Sequence, residues 1–316
     1  MGEGGRGLKM VVGGAAVPDA RKTMREGLKA VVHACEGAGG DDAYFASRTA
    51  CSQCTALGVA DGVHMWRDTG VDSGAFSRSL MRECKRLARS LPARSLHAHL
   101  NSTLSSALSS SVSHGTVGSC TACLLAVCHN SGSVSSANIG DSGWLLLSRS
   151  SRSQFSHNTH SRALADGSDA PSSSSLDDPS YDLSDSSSPL QVRCRSRPLE
   201  HLFGWPYQLG THAAADSTSD ADEFEFTLRI GDVLLVGTDG LWDNLHEWEI
   251  AEEAENSISR GAAAIARSLA SRAYESSLDQ DRVTPYSIAA SNAFEMVYSG
   301  GKRDDIAVVC ALAREE

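Results

Sequence analysis

The chain has 316 residues, 41% of them hydrophobic, and a formal net charge of −11. This length allows one large domain with a sizeable core. The acidic balance argues against a nucleic-acid binder, and no apolar run reaches about 18 residues, so no membrane span is predicted. The chain opens without a signal-peptide pattern. We therefore expect a soluble intracellular monomer, with the cytoplasm as the favoured compartment.

Nine cysteines form no regular framework, which favours a reducing compartment over a disulfide scaffold. Cys51/Cys54 and Cys120/Cys123 each have the Cys-x-x-Cys spacing of zinc ligands. Cys120 and Cys123, however, lie at an apolar run that predicts a strand, where residues three apart point to opposite faces. We expect buried apolar side chains there and no zinc.

In chain order, the Gly-rich start predicts a flexible segment over residues 1–27, followed by one domain over residues 28–316. Strands are predicted to begin at Ala43 and to cover residues 56–60. The period then changes to that of an amphipathic helix over residues 72–91. Its apolar positions are Phe76, Leu80, Cys84, Leu87 and Leu91. A second, serine-containing helix is predicted over residues 93–108.

Strands are next predicted over residues 121–128, 134–139 and 144–147. Residues from about 148 to 197 are rich in Ser, Asp and Arg, and we predict a disordered insertion there. Strands follow over residues 224–230 and 233–236, helices over 248–256, 260–275 and 285–294, and a last strand over 306–312. Strands and helices do not alternate, which indicates an α+β fold with antiparallel sheets.

Aspartates recur where predicted strands end in tight turns. They are Asp41, Asp42, Asp61, Asp141, Asp239, Asp243, Asp304 and Asp305. Clustered carboxylates repel one another unless cations neutralise them. Ligation by oxygen alone suits Mg²⁺ or Mn²⁺, and two such ions would activate a water for in-line displacement at phosphorus. The alternative at this point is a set of unrelated acidic turns.

Five of these segments, in the same order, resemble the motifs of the metal-dependent (type 2C, PPM) protein phosphatases. They are residues 41–43, 58–63, 137–143, 238–244 and 301–306, and the likeness covers about residues 39–313. The chain is most similar to the branch of the T-cell-activation protein phosphatase homologue and its plant relatives. The resemblance implies a β-sandwich of two antiparallel sheets flanked by helices. It also allows a mitochondrial or plastid location.

The activity that the resemblance implies is hydrolysis of phosphoserine and phosphothreonine in phosphoproteins, by direct attack of a metal-bridged water. Asp61 would bridge two Mg²⁺ or Mn²⁺ ions, and the Gly62 carbonyl would add a ligand. Asp41 would hold one ion, and Asp239 and Asp304 the other. Asp141 and Asp243 would bind a third, weaker ion. Asp42 and Asp305 would not bind an ion directly but would support the residues that do. Asp61 and Asp239 would thus be essential for catalysis.

Two departures from the family pattern concern catalytic side chains. Val63 stands where many members have a histidine that is a proposed general acid, and His64 is either its substitute or an exposed turn residue. Gly37 stands where many members have a phosphate-binding arginine, and Arg67 is either its replacement or part of a surface ion pair. The alternative functions are a catalytically weak pseudophosphatase scaffold and a small-molecule phosphohydrolase.

Overall fold

The computed structural model of the protein describes residues 8–21, 38–50, 52–90, 100–149 and 188–316. Two antiparallel sheets form a sandwich. In spatial order the first contains β1 (Leu8–Val17), β15 (Ile306–Glu315), β14 (Val233–Gly237), β8 (Gly143–Arg149) and β9 (Leu190–Arg195). The second contains β13 (Asp222–Thr227), β7 (Ser133–Ile139), β6 (Ala122–Cys128), β4 (Cys54–Ala60), β3 (Asp42–Arg48) and β2 (Ala38–Gly39). Short pairs join β5 (Ser119–Cys120) to β12 (Leu209–Gly210) and β10 (Glu200–Leu202) to β11 (Trp205–Pro206).

The central strands are apolar on both faces because each face is covered. Leu57 and Leu125 of the second sheet and Leu234 of the first lie in one cluster between the sheets. Alternate residues point the other way along a strand, and Leu145 and Leu235 accordingly pack outward against helices. This arrangement confirms the predicted fold class of two antiparallel sheets flanked by helices.

Helices cover both outer faces. The first sheet carries α3 (Asp239–Trp242), α4 (Glu247–Ser257) and α5 (Ala262–Leu278), and the second carries α1 (Ser73–Ser90) and α2 (Leu100–Ser113). After α5 comes α6 (Pro285–Phe294), whose first turn is capped by Thr284, since its hydroxyl accepts a hydrogen bond from the Ser287 amide at 3.1 Å. Among the helices that the structure describes, none has the length and apolar character needed to cross a membrane.

The prediction of a flexible segment over residues 1–27 is wrong for Leu8–Val17. This segment is β1, which pairs with β15 from Leu8 opposite Glu315 to Val17 opposite Ile306. Its glycines permit close packing: a Cβ on Gly13 would lie 2.3 Å from the Cα of Ala263 in α5. Residues 1–7 and 22–27 lie outside the described residues.

The insertion predicted over about residues 148–197 is too wide at both ends. Ser148 and Arg149 belong to β8, and Leu190–Arg195 forms β9, which pairs with it. Leu190 is buried against the core that underlies α4. More buried and more exposed residues alternate along β9, but its arginines make this alternation hard to recognise in the sequence. Residues 150–187 lie outside the described residues, so disorder there stays a prediction.

The second predicted helix is also placed differently, since α2 runs over Leu100–Ser113 and residues 91–99 are not described. Its serines serve as contacts with α1. Ser111 is fully buried and its hydroxyl accepts a hydrogen bond from Ser79 at 3.2 Å. A serine can therefore occupy the inner face of this helix without an unpaired polar group.

The expectation that Cys120 and Cys123 are buried on opposite faces is confirmed. Both are fully buried, but Cys120 packs under α1 and α2 whereas Cys123 packs between the two sheets. These two thiols therefore cannot share one metal ion. Cys51, the partner in the other Cys-x-x-Cys pair, lies outside the described residues.

Candidate metal centre and active site

Three of the predicted aspartates meet at one end of the sandwich. Asp61 follows β4, Asp141 lies in the turn between β7 and β8, and Asp239 follows β14 and begins α3. One ligand oxygen from each lies within 4.8 Å of the others. Strands from both sheets thus deliver carboxylates to one place, and an all-oxygen set of this kind fits Mg²⁺ or Mn²⁺.

Several carboxylate oxygens in this centre are buried without a hydrogen-bond partner among the described residues. They are Asp42 Oδ1, Asp141 Oδ1 and Asp239 Oδ1. A buried anionic oxygen that accepts no hydrogen bond is costly. Cations bound at these oxygens would remove that cost. This observation from the chain's own atoms therefore agrees with a metal centre.

Burial and mutual repulsion raise the pKa of the clustered carboxyls. For Asp61 burial is the largest cause, followed by the charges of Asp42 and Asp239. Burial also raises the pKa of Asp42 and that of Asp141 well above the usual range. The pKa of Asp243 rises to about 6, because burial outweighs the opposing effect of Lys302. Divalent cations would favour the charged forms of all these groups.

Lys302 places a positive charge inside the cluster. Its Nζ forms ion pairs with Asp239 Oδ2, with Asp243 Oδ2 at 2.8 Å, and with Asp304 Oδ2 at 3.5 Å. Asp243 lies on the same side as Asp239, because the short helix α3 separates them by one turn and the Asp243 amide donates to the Asp239 carbonyl at 2.7 Å.

The structure places Asp41 and Asp42 in opposite environments. Asp42 has one oxygen bonded to the Thr238 hydroxyl at 2.7 Å and the other unpaired, and it interacts with the charges of Asp304, Asp305 and Asp239. Asp41 instead has its carboxylate in contact with Arg67 and His64. The resemblance implied that Asp41 binds an ion and that Asp42 supports the ligands, whereas Asp42 is the one of the two whose charge interacts with Asp304, Asp305 and Asp239. The metal-binding role of either residue stays a prediction.

Asp305 supports the centre through backbone contacts. Its two oxygens accept hydrogen bonds from the Asp19 amide at 2.7 Å and the Asp41 amide at 2.8 Å. Gly40 makes this approach possible, since a Cβ there would lie 2.2 Å from an Asp305 oxygen and its φ is +65°. Asp305 thereby joins the start of β15 to the turn that carries the two aspartates.

His64 and Arg67 lie on a 3₁₀ helix, His64–Thr69, that follows Asp61. His64 Nδ1 is 3.1 Å from Asp41 Oδ2, and the histidine side chain is 52% exposed. Arg67 donates from Nη2 to Asp41 Oδ1 at 2.5 Å and from Nε to the Ser73 hydroxyl at 2.6 Å. The Arg67 ion pair is thus largely buried, not the surface pair offered as an alternative above.

Gly62 fits tightly between these elements. Its amide donates to the Asp41 carbonyl at 3.1 Å, and a Cβ would lie 2.4 Å from the Ser73 carbonyl oxygen. A larger residue would therefore push Asp61 out of place. The role of the Gly62 carbonyl as a metal ligand stays a prediction, and Gly37 lies outside the described residues.

Comparisons with known proteins agree with this geometry. The human (Homo sapiens) protein phosphatase PTC7 homolog is 30% identical over 290 residues, which cover 87% of this chain and 80% of that protein. The chain belongs to the type 2C (PPM) family of protein phosphatases. No family model matches the chain. The probable protein phosphatase 2C 55 of Arabidopsis thaliana is 31% identical over 94% of this chain, which spans 55% of that longer protein.

The solved structures give the same result for this type 2C phosphatase. The structure of the photosystem II phosphatase PBCP has a TM-score of 0.71 and 25% identity, and the match covers 98% of this chain and 100% of that one. The resemblance to the PPM family and to the PTC7 branch is therefore confirmed. As a family member, the protein is a hydrolase of phosphoric monoesters, and its cofactors are Mg²⁺ or Mn²⁺.

Two further residues shape the site of this phosphatase and were not predicted from the sequence. Lys302 was not singled out, although a lysine two residues before Asp304 stands out in an acidic motif. Ser73 was not singled out either, although its hydroxyl donates to Asp41 Oδ1 at 2.6 Å. Both contacts join segments far apart in the chain, and local spacing carries no signal for them.

Proposed function

We propose that this phosphatase hydrolyses phosphoserine and phosphothreonine in proteins, with two Mg²⁺ or Mn²⁺ ions in the carboxylate centre. The observation that supports this proposal most strongly is the set of buried, unpaired oxygens of Asp42, Asp141 and Asp239 beside Asp61. Such a set is unstable without cations and has the oxygen chemistry that these ions prefer.

Asp42, Asp61, Asp141 and Asp239 would hold the ions, with Asp304 at the edge of the set. When bound, the ions would lower the pKa of a water nucleophile and stabilise the charge that develops on the phosphoryl group. The carboxylates would hold the ions on rigid strand ends, and Asp305 fixes the turn of Asp41 and Asp42 to the start of β15. Water would attack phosphorus directly, with no covalent phosphoenzyme.

His64 is the residue we propose as general acid. Its Nδ1 contacts Asp41 Oδ2, which fixes the ring and leaves Nε2 as the nitrogen that can protonate the leaving serine or threonine oxygen. Arg67 and Ser73 both donate to the other Asp41 oxygen. We therefore propose that Arg67 positions Asp41, and through it His64, instead of binding the phosphate.

A pseudophosphatase scaffold is less consistent with this site. A scaffold gains nothing from buried carboxylates that repel one another, and replacing them by neutral residues would stabilise the fold. The acidic set therefore favours a bound cation and catalysis over a scaffold.

The substrate class is tested with a matched panel. The full chain with Mn²⁺ is given phosphoserine, phosphothreonine and phosphotyrosine versions of one peptide, together with a small phosphate ester, and phosphate release is measured. The proposal predicts kcat/KM values for the first two peptides well above those for the other substrates. Turnover of the small ester with no turnover of the peptides would instead assign a small-molecule phosphohydrolase.

A further inference from the structure

Lys302 is built into the carboxylate centre by its backbone as well as by its side chain. The Asn244 side chain donates from Nδ2 to the Lys302 carbonyl at 2.8 Å and accepts from the Lys302 amide at 3.0 Å. Asn244 is fully buried and also donates to the Gly240 carbonyl at 2.9 Å. The lysine is therefore fixed to the same helical turn that carries Asp239 and Asp243.

The two oxygens of Asp239 face different environments. Oδ2 is paired with Lys302 Nζ, whereas Oδ1 is buried without a partner. Asp243 also presents an oxygen to Lys302, at 2.8 Å, while Asp141 keeps its Oδ1 unpaired. The centre thus has one side occupied by an ammonium group and another side with unpaired carboxylate oxygens.

We propose that Lys302 is a tethered cation that occupies the Asp243 side of the centre, so that divalent ions bind only on the side of Asp42, Asp61 and Asp141. This inference rests on the proposed function. It replaces the third, weaker metal site that Asp141 and Asp243 were expected to form. An ammonium group between Asp239 and Asp243 uses the oxygens that a third ion needs and repels a divalent ion placed there.

The inference is tested by counting bound ions, a readout that does not depend on activity. Mn²⁺ bound per folded chain is measured by native mass spectrometry over one series of Mn²⁺ concentrations. Lys302→Met removes the charge with similar volume, Lys302→Arg keeps the charge, and Lys9→Met, at an exposed position of β1, is the control for loss of one positive charge elsewhere. We expect one additional ion in Lys302→Met and the wild-type number in the other two variants.

Equal ion counts in folded wild type and Lys302→Met would overturn the inference. If Lys302→Met does not fold, Asp243→Asn in the wild-type background decides the question. With Lys302 as the partner of Asp243, that substitution leaves the number of bound Mn²⁺ ions unchanged, whereas loss of one ion would show that Asp243 is a metal ligand. A wild-type chain that binds no Mn²⁺ would instead overturn the proposed function.

Discussion

Asp41 and Asp42 are adjacent, fully buried and identical in chemistry, yet the structure predicts opposite results for replacing them. Asp42→Asn removes a charge that is repelled by Asp305 and Asp304. The metal-free protein should therefore keep or gain stability. Its affinity for Mn²⁺ should fall at least about 10- to 100-fold, since even the loss of a group that only supports a ligand costs that much, which corresponds to roughly 1.4–2.7 kcal/mol.

Asp41→Asn removes the anionic partner of Arg67, whose side chain is only 18% exposed. Loss of one member of a buried ion pair costs about 3–5 kcal/mol, and we expect the lower end because part of Arg67 reaches solvent. Affinity for Mn²⁺ should change by less than in Asp42→Asn.

Urea unfolding of the metal-free proteins and calorimetric Mn²⁺ titration measure both effects for this pair, and each variant serves as the control for the other. The reasoning is refuted if Asp41→Asn loses more Mn²⁺ affinity than Asp42→Asn, or if Asp41→Asn unfolds at the wild-type urea concentration.

Three further predictions concern pH, proton transfer and packing. Because the pKa of Asp243 is raised to about 6, this group contributes stability to the metal-free protein at low pH, and that stability is lost as pH rises through 6. Mn²⁺ affinity, measured by calorimetry, should instead fall from pH 7 to pH 5, because the pKa values of the proposed ligands Asp42, Asp61 and Asp141 are also raised. The opposite slope in either measurement would contradict this. His64→Gln should lower kcat about 10²- to 10⁴-fold with unchanged Mn²⁺ affinity, and a wild-type kcat would rule out the general acid. Gly13→Val should cost about 1–3 kcal/mol of unfolding free energy in urea, since a Cβ meets Ala263; an unchanged midpoint would count against this packing.

The apolar strands and the aspartates at their ends could be predicted from sequence because each signal is local. The run Val233–Gly237 is buried on both faces, and it leads into Asp239 as expected. β1 could not be predicted in this way. Its glycines indicate flexibility when considered alone, and they are explained by the close approach of α5 to Gly13 and of the Tyr44 side chain to Gly14.

The assignment of Asp41 and Asp42 shows a second limit. Neighbouring residues at the start of a strand point to opposite sides, so a shift of one position exchanges their environments. The Asp41-Asp42 sequence is the same whichever of the two aspartates faces the other carboxylates. What decides between the two residues is Arg67 on one side and the carboxylates of Asp304 and Asp305 on the other, and both arrive from distant parts of the chain.

Phosphate release from a phosphothreonine peptide, followed as free Mn²⁺ is raised in wild type and in Asp239→Asn, tests the central claim most directly. The account predicts no turnover in a metal-chelating buffer, saturable activation of the wild type by Mn²⁺, and activity of Asp239→Asn at least about 100-fold lower at saturating Mn²⁺. Wild-type turnover that is independent of divalent ions, or full activity in the folded Asp239→Asn variant, would contradict it.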